Sequence, residues 1–407
     1  MKIILFEDNQ VDKLYPITST RAAFDILCGG LSLYDALRRE FKDVAIDFFV
    51  RDQLQEVAKN KFSLFNAGSK EVLFVNAVLV PDLETIQQLK IKVDQQQDFV
   101  WQKDGQVVAA FATNLEIYIE FSRQYLLTFV KDLPTTPQDF VGRIFTNVWD
   151  PIIYNQEIIK SNLEILAQDY QAHEVKGLFI GNNVKIEDQV VFDATDGPII
   201  LADDVTVKSA SVLRGPLFVG SQTIINSFSE IKDGSCLGRV CKVGGEVEAA
   251  IIQDYTNKQH YGFLGHAYVG SWVNLGAGTT NSDIKNTYGE IRMQGLSTGR
   301  QFLGCVIADH VKAGIGTMIF TGKVIGVASL LYGSIVADVP AFSNFGTGLK
   351  KAVTADLAVA KKIQQAVFKR RGVEQTAADL ALLDTIFVQT AADRKKLRIK
   401  SGQPELR

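Results

Sequence analysis

The chain reads as an α/β domain with a mostly parallel sheet, then a parallel β-helix of hexapeptide repeats, then C-terminal helices. Three observations predict this. Strand-like and helix-like runs alternate over residues 1–172, 25 of the 32 glycines fall between Gly177 and Gly348, and helical periodicity returns from 350 to 400. Each change of rhythm marks an expected boundary, giving segments 1–172, 173–348 and 349–407. At 407 residues the chain is long enough for two or three domains of roughly 100–200 residues each.

In the first segment, Ile3 to Phe6, Ala45 to Val50, Val72 to Val75 and Val107 to Phe111 are short β-rich apolar runs. Leu33, Leu37 and Phe41 repeat at helical spacing after Ser32, which with Asp35 forms a variant of the capping box. Strand and helix in alternation imply a layered α/β domain. Tyr154 to Gln171 reads as one amphipathic helix ending the segment.

The second segment repeats aliphatic-glycine pairs, at Ile180-Gly181, Val219-Gly220, Val269-Gly270, Leu275-Gly276 and Ile325-Gly326 among others. A six-residue period with one inward aliphatic side chain per short strand fits a parallel β-helix, whose corners call for positive φ and close backbone approach. A β-sandwich is the competing architecture, but it favours longer strands with turns roughly every 8–12 residues. In the tail, Val353, Leu357, Ala360, Ile363 and Val367 form one helical face, and Leu380, Leu383, Ile386 and Phe387 form a second. Gly372 is placed to end the first helix, with Lys369, Arg370 and Arg371 as cations at its C-terminus.

A net charge of −3 gives no basic excess of the kind nucleic acid or an anionic membrane surface attracts, so small molecules are the expected partners. The four cysteines form no CxxC pair, which favours thiols in a reducing compartment, by default the cytoplasm. The apolar run Ile3 to Phe6 is too short for a signal peptide or a membrane span.

Two polar stretches, 253–262 and 281–289, read as excursions from the hexapeptide rhythm, and long excursions from a repeat serve sites or interfaces. The first carries His260. The string Lys258 to Gly265, followed by Asn274-Leu-Gly-Ala-Gly-Thr279, resembles the acetyltransferase half of the bifunctional N-acetylglucosamine-1-phosphate uridyltransferase / glucosamine-1-phosphate acetyltransferase family. The resemblance is dense from about 214 to 330 and implies a left-handed β-helix assembled as a homotrimer, with acetyl-CoA and amino sugar bound between subunits.

It places His260 at the general base, Asn274 in the acetyl-transfer site and Ala277 against CoA. Arg214 matches a basic residue holding the sugar phosphate, and Phe263 stands where better-known members have a tyrosine. The family's further phosphate-binding lysine has no counterpart, since Val247 to Ala250 occupies that region, leaving Lys258, Lys285 or Arg292 for the phosphate. Asn281, Asp283 and Lys285 in the second stretch are candidate sugar contacts.

A histidine suits this chemistry because an amine attacks a thioester only as the free base, and imidazole, titrating near pH 6.5, accepts a proton at neutral pH. Backbone N–H groups around Gly276 would stabilise the oxyanion. A rival reading gathers His260, His266 and His310 around a zinc ion between subunits, as in γ-type carbonic anhydrases, which this segment distantly resembles.

In the first segment, Leu14 to Arg21 resembles the signature of sugar-1-phosphate nucleotidyltransferases. The glycine-rich loop that precedes it in the family is replaced by Phe6 to Lys13, and Ala23 takes the signature lysine's place. Arg21 and Asn76 are the implied nucleotide contacts, Asn76 standing where the family has a Mg²⁺-binding aspartate. Asp82, Asp8 and Asp150 are the carboxylates available for Mg²⁺. Two outcomes stay open: nucleotidyl transfer with altered parts, or binding alone.

The expected function is synthesis of a UDP-N-acetyl amino sugar, by acetyl transfer to a hexosamine-1-phosphate and uridylyl transfer from UTP. The alternatives are a nucleotidyltransferase whose β-helix only oligomerises or regulates, and a non-catalytic trimeric scaffold.

Overall fold

The computed structural model describes residues 1–62, 69–113 and 123–407. The chain divides into two compact units, one of residues 1–26 and 31–150, the other of 27–30 and 151–407.

The first unit is built on a six-stranded sheet of order β2-β1-β3-β5-β4-β6. Its strands are β1 (Lys2–Phe6), β2 (Ala45–Phe49), β3 (Val72–Asn76), β4 (Phe99–Lys103), β5 (Gln106–Ala112) and β6 (Gln138–Asp139). β1 pairs in parallel with β2 and β3, and every residue of its apolar run is buried, as a central strand covered on both faces requires. The sheet is mostly parallel, as expected: β6 pairs in parallel with β4, and β5 alone runs against the others, antiparallel to β3 and β4. Sequence reading missed β4, whose second half is polar and only partly buried. Its turn was legible: Asp104 and Gly105 both take positive φ, the aspartate-glycine signal of a two-residue hairpin. Helix α1 (Leu33–Glu40) starts where expected, the Ser32 hydroxyl accepting from Asp35 N at 3.1 Å and donating to Asp35 Oδ2 at 2.7 Å.

In the second unit, helix α2 (Asp150–Leu166, counted from Pro151 within this unit) precedes the coils. Asn155 Oδ1 accepts from Gly29 N at 2.7 Å, and Asn162 Nδ2 donates to Gly29 O at 3.0 Å, which fastens residues 27–30 to this helix. The composition changes near 172–177 because the coils begin there, whereas the compact units divide at 150.

From Leu178 onward, two- and three-residue strands stack coil on coil into three long parallel sheets, a parallel β-helix. Its interior is one aliphatic column after another, with Val207, Ile225 and Val243 in register in successive coils. The corners overturn one expectation. Asn183, Asp204, Gln222, Val240, Tyr255, Trp272, His310, Ala328 and Phe342 form a column with φ between 54° and 66°, so positive φ here is carried by non-glycine residues. The glycines of the aliphatic-glycine pairs serve close approach instead. A Cβ on Gly270 would lie 2.7 Å from Asp309 N, and one on Gly326 would lie 2.3 Å from Ala341 N.

The tail folds as α3 (Leu357–Lys369), α4 (Ala377–Gln389) and α5 (Ala391–Lys396). Gly372 has φ of 67°, as a helix-ending glycine should. The buried face of α3 is Ala360, Gln364 and Phe368, not the Ile363 and Val367 stripe, and Val353 lies in a strand. The four cysteines are buried and unbridged. Among the described residues no helix is long and apolar enough to cross a membrane.

Candidate functional site

The stretch 253–262 is not an excursion. Strands at Ile251–Ile252, Asn257–Lys258 and Phe263–Gly265 follow one another at the normal coil spacing, and His260 sits at an exposed corner between the last two. Lys258 shows why the polar sequence still fits a coil. It takes the inward position held by Val243 in the coil before, and its Nζ donates to Gly244 O at 2.6 Å, His260 O at 3.0 Å and Gly262 O at 2.6 Å. Burial pushes this ammonium down to about 8, while three carbonyls occupy all three of its N–H donors. Lys258 therefore braces the His260 corner and has no donor left for a phosphate.

The second stretch is a true break, longer than expected. The coil strand Thr280–Asn281 is followed by the next, Val306–Ile307, only after a long loop containing a small hairpin of Arg292–Met293 with Leu296–Ser297. Asn281 is buried, and its amide is used on Gly265, accepting from Gly265 N and donating to Gly265 O, each at 2.9 Å. Lys285 Nζ is held by the carbonyl of Glu290. Asn281 is therefore not presented to a sugar as the sequence suggested. The loop instead sets Asp283 against His266, Oδ2 lying 2.8 Å from Nδ1, with both side chains about 15% exposed (15% and 14%). His266 occupies a corner with φ of 45°, a conformation that costs a non-glycine residue energy. Its ring faces Phe302 at 5.8 Å and lines a 400 Å³ cavity with Arg300 and Glu157. Sequence reading considered His266 only as a metal ligand; what it lacked was the loop closure that brings Asp283 back.

Gly276 and Ala277 stand in the corner between the strands Asn274–Leu275 and Thr280–Asn281. Gly276 N donates to Ala313 O and Gly278 N to Tyr261 O, so the backbone donors proposed for an oxyanion are already spent at those two residues. Asn274 faces outward on the same coil side as Asn257 and Lys312. There it lines a 280 Å³ cavity with Lys242, Lys312, Arg370 and Arg371. Arg214 lies on another sheet, half-exposed, paired with Asp193 at 3.2 Å and Glu230 at 3.5 Å. His310 packs beside Phe368 and Gln364, in a different cavity from that of His266, so within one chain His260, His266 and His310 are not gathered at one site.

In the first unit, the segment replacing the glycine loop is anchored by charge. Glu7 is fully buried and takes Arg51 in a bidentate pair, Nε to Oε2 at 2.9 Å and Nη2 to Oε1 at 3.1 Å. Asp8 then caps a short helical turn through Gln10 N and accepts from Asn76 Nδ2 at 3.0 Å and Gln106 Nε2 at 2.8 Å. Asn76 is thus an amide donor at the end of β3. Arg21 is buried, 3.8 Å from Asp25.

The expected metal carboxylates do not fit an ion. Asp150 accepts from Thr146 and Asn147 through backbone and side chain, and burial raises its pKa against those bonds. Asp82 is tied to Arg143 at 3.1 Å and to Thr85 at 3.3 Å. Among the described residues no group of three or more His, Cys, Asp or Glu side chains is arranged to hold a metal.

Residues 3–171 match the family model described as sugar nucleotidyl transferase. The chain is similar to a bifunctional sugar-1-phosphate nucleotidylyltransferase/acetyltransferase of Sulfurisphaera tokodaii, 28% identical over 167 residues, covering 40% of this chain and 41% of that protein. It is similar also to the bifunctional protein GlmU of Gloeobacter violaceus, 34% identical over 137 residues, covering 31% of this chain and 29% of that protein. The chain therefore matches well under half the length of these curated relatives. Among solved structures, an Arabidopsis UDP-N-acetylglucosamine acyltransferase aligns with 54% of this chain and 79% of its own at 13% identity and a TM-score of 0.27. The named relatives are transferases.

Proposed function

We propose that the chain is a bifunctional transferase that acetylates a hexosamine-1-phosphate from acetyl-CoA on its β-helix and transfers uridylyl from UTP to the product on its first unit, working as a homotrimer. The observation that carries the acyl half is the loop between Thr280 and Val306, which buries a His266–Asp283 pair one corner beyond His260. A regular coil has no need of such a loop.

In the acyl step the substrate nitrogen forms a bond to the thioester carbonyl carbon, the C–S bond breaks, and the proton leaving nitrogen passes to imidazole and then to the departing CoA sulfur. His260 is the base that the family resemblance supplies. His266 is a second candidate on structural grounds, because a carboxylate on Nδ1 fixes its tautomer and leaves Nε2 as the acceptor. For the first unit, Arg21 is the proposed nucleotide contact, since Asn76 is buried with its amide spent on Asp8, Val107 and Val78, and no step is assigned to a metal.

The test is acetyl-CoA consumption with glucosamine-1-phosphate by wild type, His260→Ala and His266→Ala. CoA release in wild type, lost by about 100-fold or more in one variant, identifies the base. Wild type without CoA release removes the acyl half. A second arm with UTP, with and without Mg²⁺, follows pyrophosphate: release shows that the first unit transfers without a glycine loop, and none leaves it a binding unit.

A further inference from the structure

We propose that the cavity between the outward coil face at Asn257 and Asn274 and the C-terminal end of α3 is a phosphomonoester site, with Lys242, Arg370 and Arg371 holding the anion. The inference rests on the acyl-transfer reading only for which phosphomonoester enters. Besides Lys312, whose amine is held by two carbonyls, the 280 Å³ cavity has three cationic side chains on its wall, Lys242, Arg370 and Arg371, and, among the described residues, no carboxylate. Cations at a helix C-terminus are ordinary, but the helix end is equivalent to only about half a negative charge, too little to account for this cluster.

The groups are also held in place. Arg371 Nη2 donates to Asn257 Oδ1 at 2.6 Å, which directs the guanidinium into the cavity. Trp272 is stacked on Tyr255 with centroids 4.2 Å apart and planes 3° apart, and Phe368 of α3 covers its other side at 4.2 Å. This aromatic sandwich docks the end of α3 on the coil, so Arg370 and Arg371 follow from a fixed point. Burial disfavours the Arg371 charge, and the neighbouring Arg370 disfavours it further, a cost that a bound anion relieves. The volume lies near the lower end of small-molecule sites, about 300 Å³, enough for a sugar phosphate or the phosphorylated end of a larger ligand.

Two ligands of the proposed reaction carry this chemistry: the hexosamine-1-phosphate, and CoA through its 3′-phosphate. Calorimetric titration of the full chain separates them, using glucosamine-1-phosphate, glucosamine, CoA and dephospho-CoA. The double variant Lys242→Gln/Arg370→Gln leaves the Arg371–Asn257 bond intact, and near-ultraviolet circular dichroism of the Trp272 stack checks that α3 stays docked.

Wild type should bind one phosphomonoester with at least tenfold higher affinity than its counterpart lacking that phosphate, and the double variant should erase the difference. Equal affinity in variant and wild type, or no preference for the phosphate in wild type, overturns the site. Binding with the expected loss but no acetyl transfer by wild type rejects the acyl-transfer reading and leaves the site standing. Acetyl transfer with unchanged KM values in the double variant does the reverse.

Discussion

Lys312 occupies the outward position next to Asn274 and is half-buried there, and its Nζ donates to Trp272 O at 2.7 Å and His310 O at 2.9 Å. Two acceptors match the two N–H groups of a neutral amine, and burial pushes the group down to about 7. The folded state then binds fewer protons than the unfolded chain between about pH 7 and the ordinary lysine value near 10.4, so stability rises with pH across that window. Lys258, pushed down to about 8, adds a slope of the same sign. Urea unfolding of the β-helix should show wild type gaining up to about 4 kcal/mol from pH 7.5 to 9.5, at up to about 1.4 kcal/mol per pH unit per group. Lys312→Met should lose roughly half of that gain and be the more stable protein at pH 7. A wild-type stability that is flat over this range would falsify the buried-amine account. Neither environment could be read from sequence, because only the coil register places Lys258 on an aliphatic column and only the tertiary fold brings the carbonyls of Trp272 and His310 to the Lys312 amine.

At the scale of elements, what was legible followed from periodicity and what was not followed from contacts between distant residues. The runs at Ile3, Ala45, Val72 and Val107 became strands, and the aliphatic-glycine rhythm became coils, because an apolar residue at fixed spacing has one way to be buried. The polar stretch 253–262 misled because an inward lysine satisfied by carbonyls looks, in sequence, like a surface residue. The buried stripe of α3 was misplaced because Gln364 and Phe368 find His310 and Trp272, partners fixed only by the tertiary fold. Coil stacking makes a stringent prediction at Gly326. An alanine there sets a methyl carbon against the backbone of Ala341, which cannot withdraw without parting two coils. Gly326→Ala should destabilise the β-helix by about 1–3 kcal/mol, the range of overpacked cores. Alanine at Gly295, where a Cβ meets nothing within 4 Å but φ is 81°, should cost less, separating coil stacking from backbone conformation. Equal melting-temperature losses in the two variants would place the cost in the backbone rather than the stack.

For the whole molecule, the homotrimer of the proposed function draws on what the β-helix leaves uncovered. Its third face ends in a short sheet of Thr280–Asn281, Met318–Ile319 and Ser334–Ile335. There the inward residues Ile319 and Ile335 are buried, but Met318, Phe320 and Val336 are 48%, 47% and 55% exposed, and Ile315 at the adjoining corner is 82% exposed. Clustered exposed apolar side chains mark an interaction surface, and burying each is worth about 1.5–3 kcal/mol. If copies of this chain cover the patch, sedimentation equilibrium should return three times the 44.9 kDa chain mass. Ile315→Glu/Phe320→Glu should shift the protein to a single-chain mass with its circular dichroism spectrum preserved, since neither side chain belongs to the coil interior. Acetyl transfer should fall with the trimer if the site is completed by a neighbour, and the pyrophosphate-releasing step of the first unit should be spared. A wild-type monomer that still turns over acetyl-CoA would leave the two transferase activities in place and remove the assembly from the proposal.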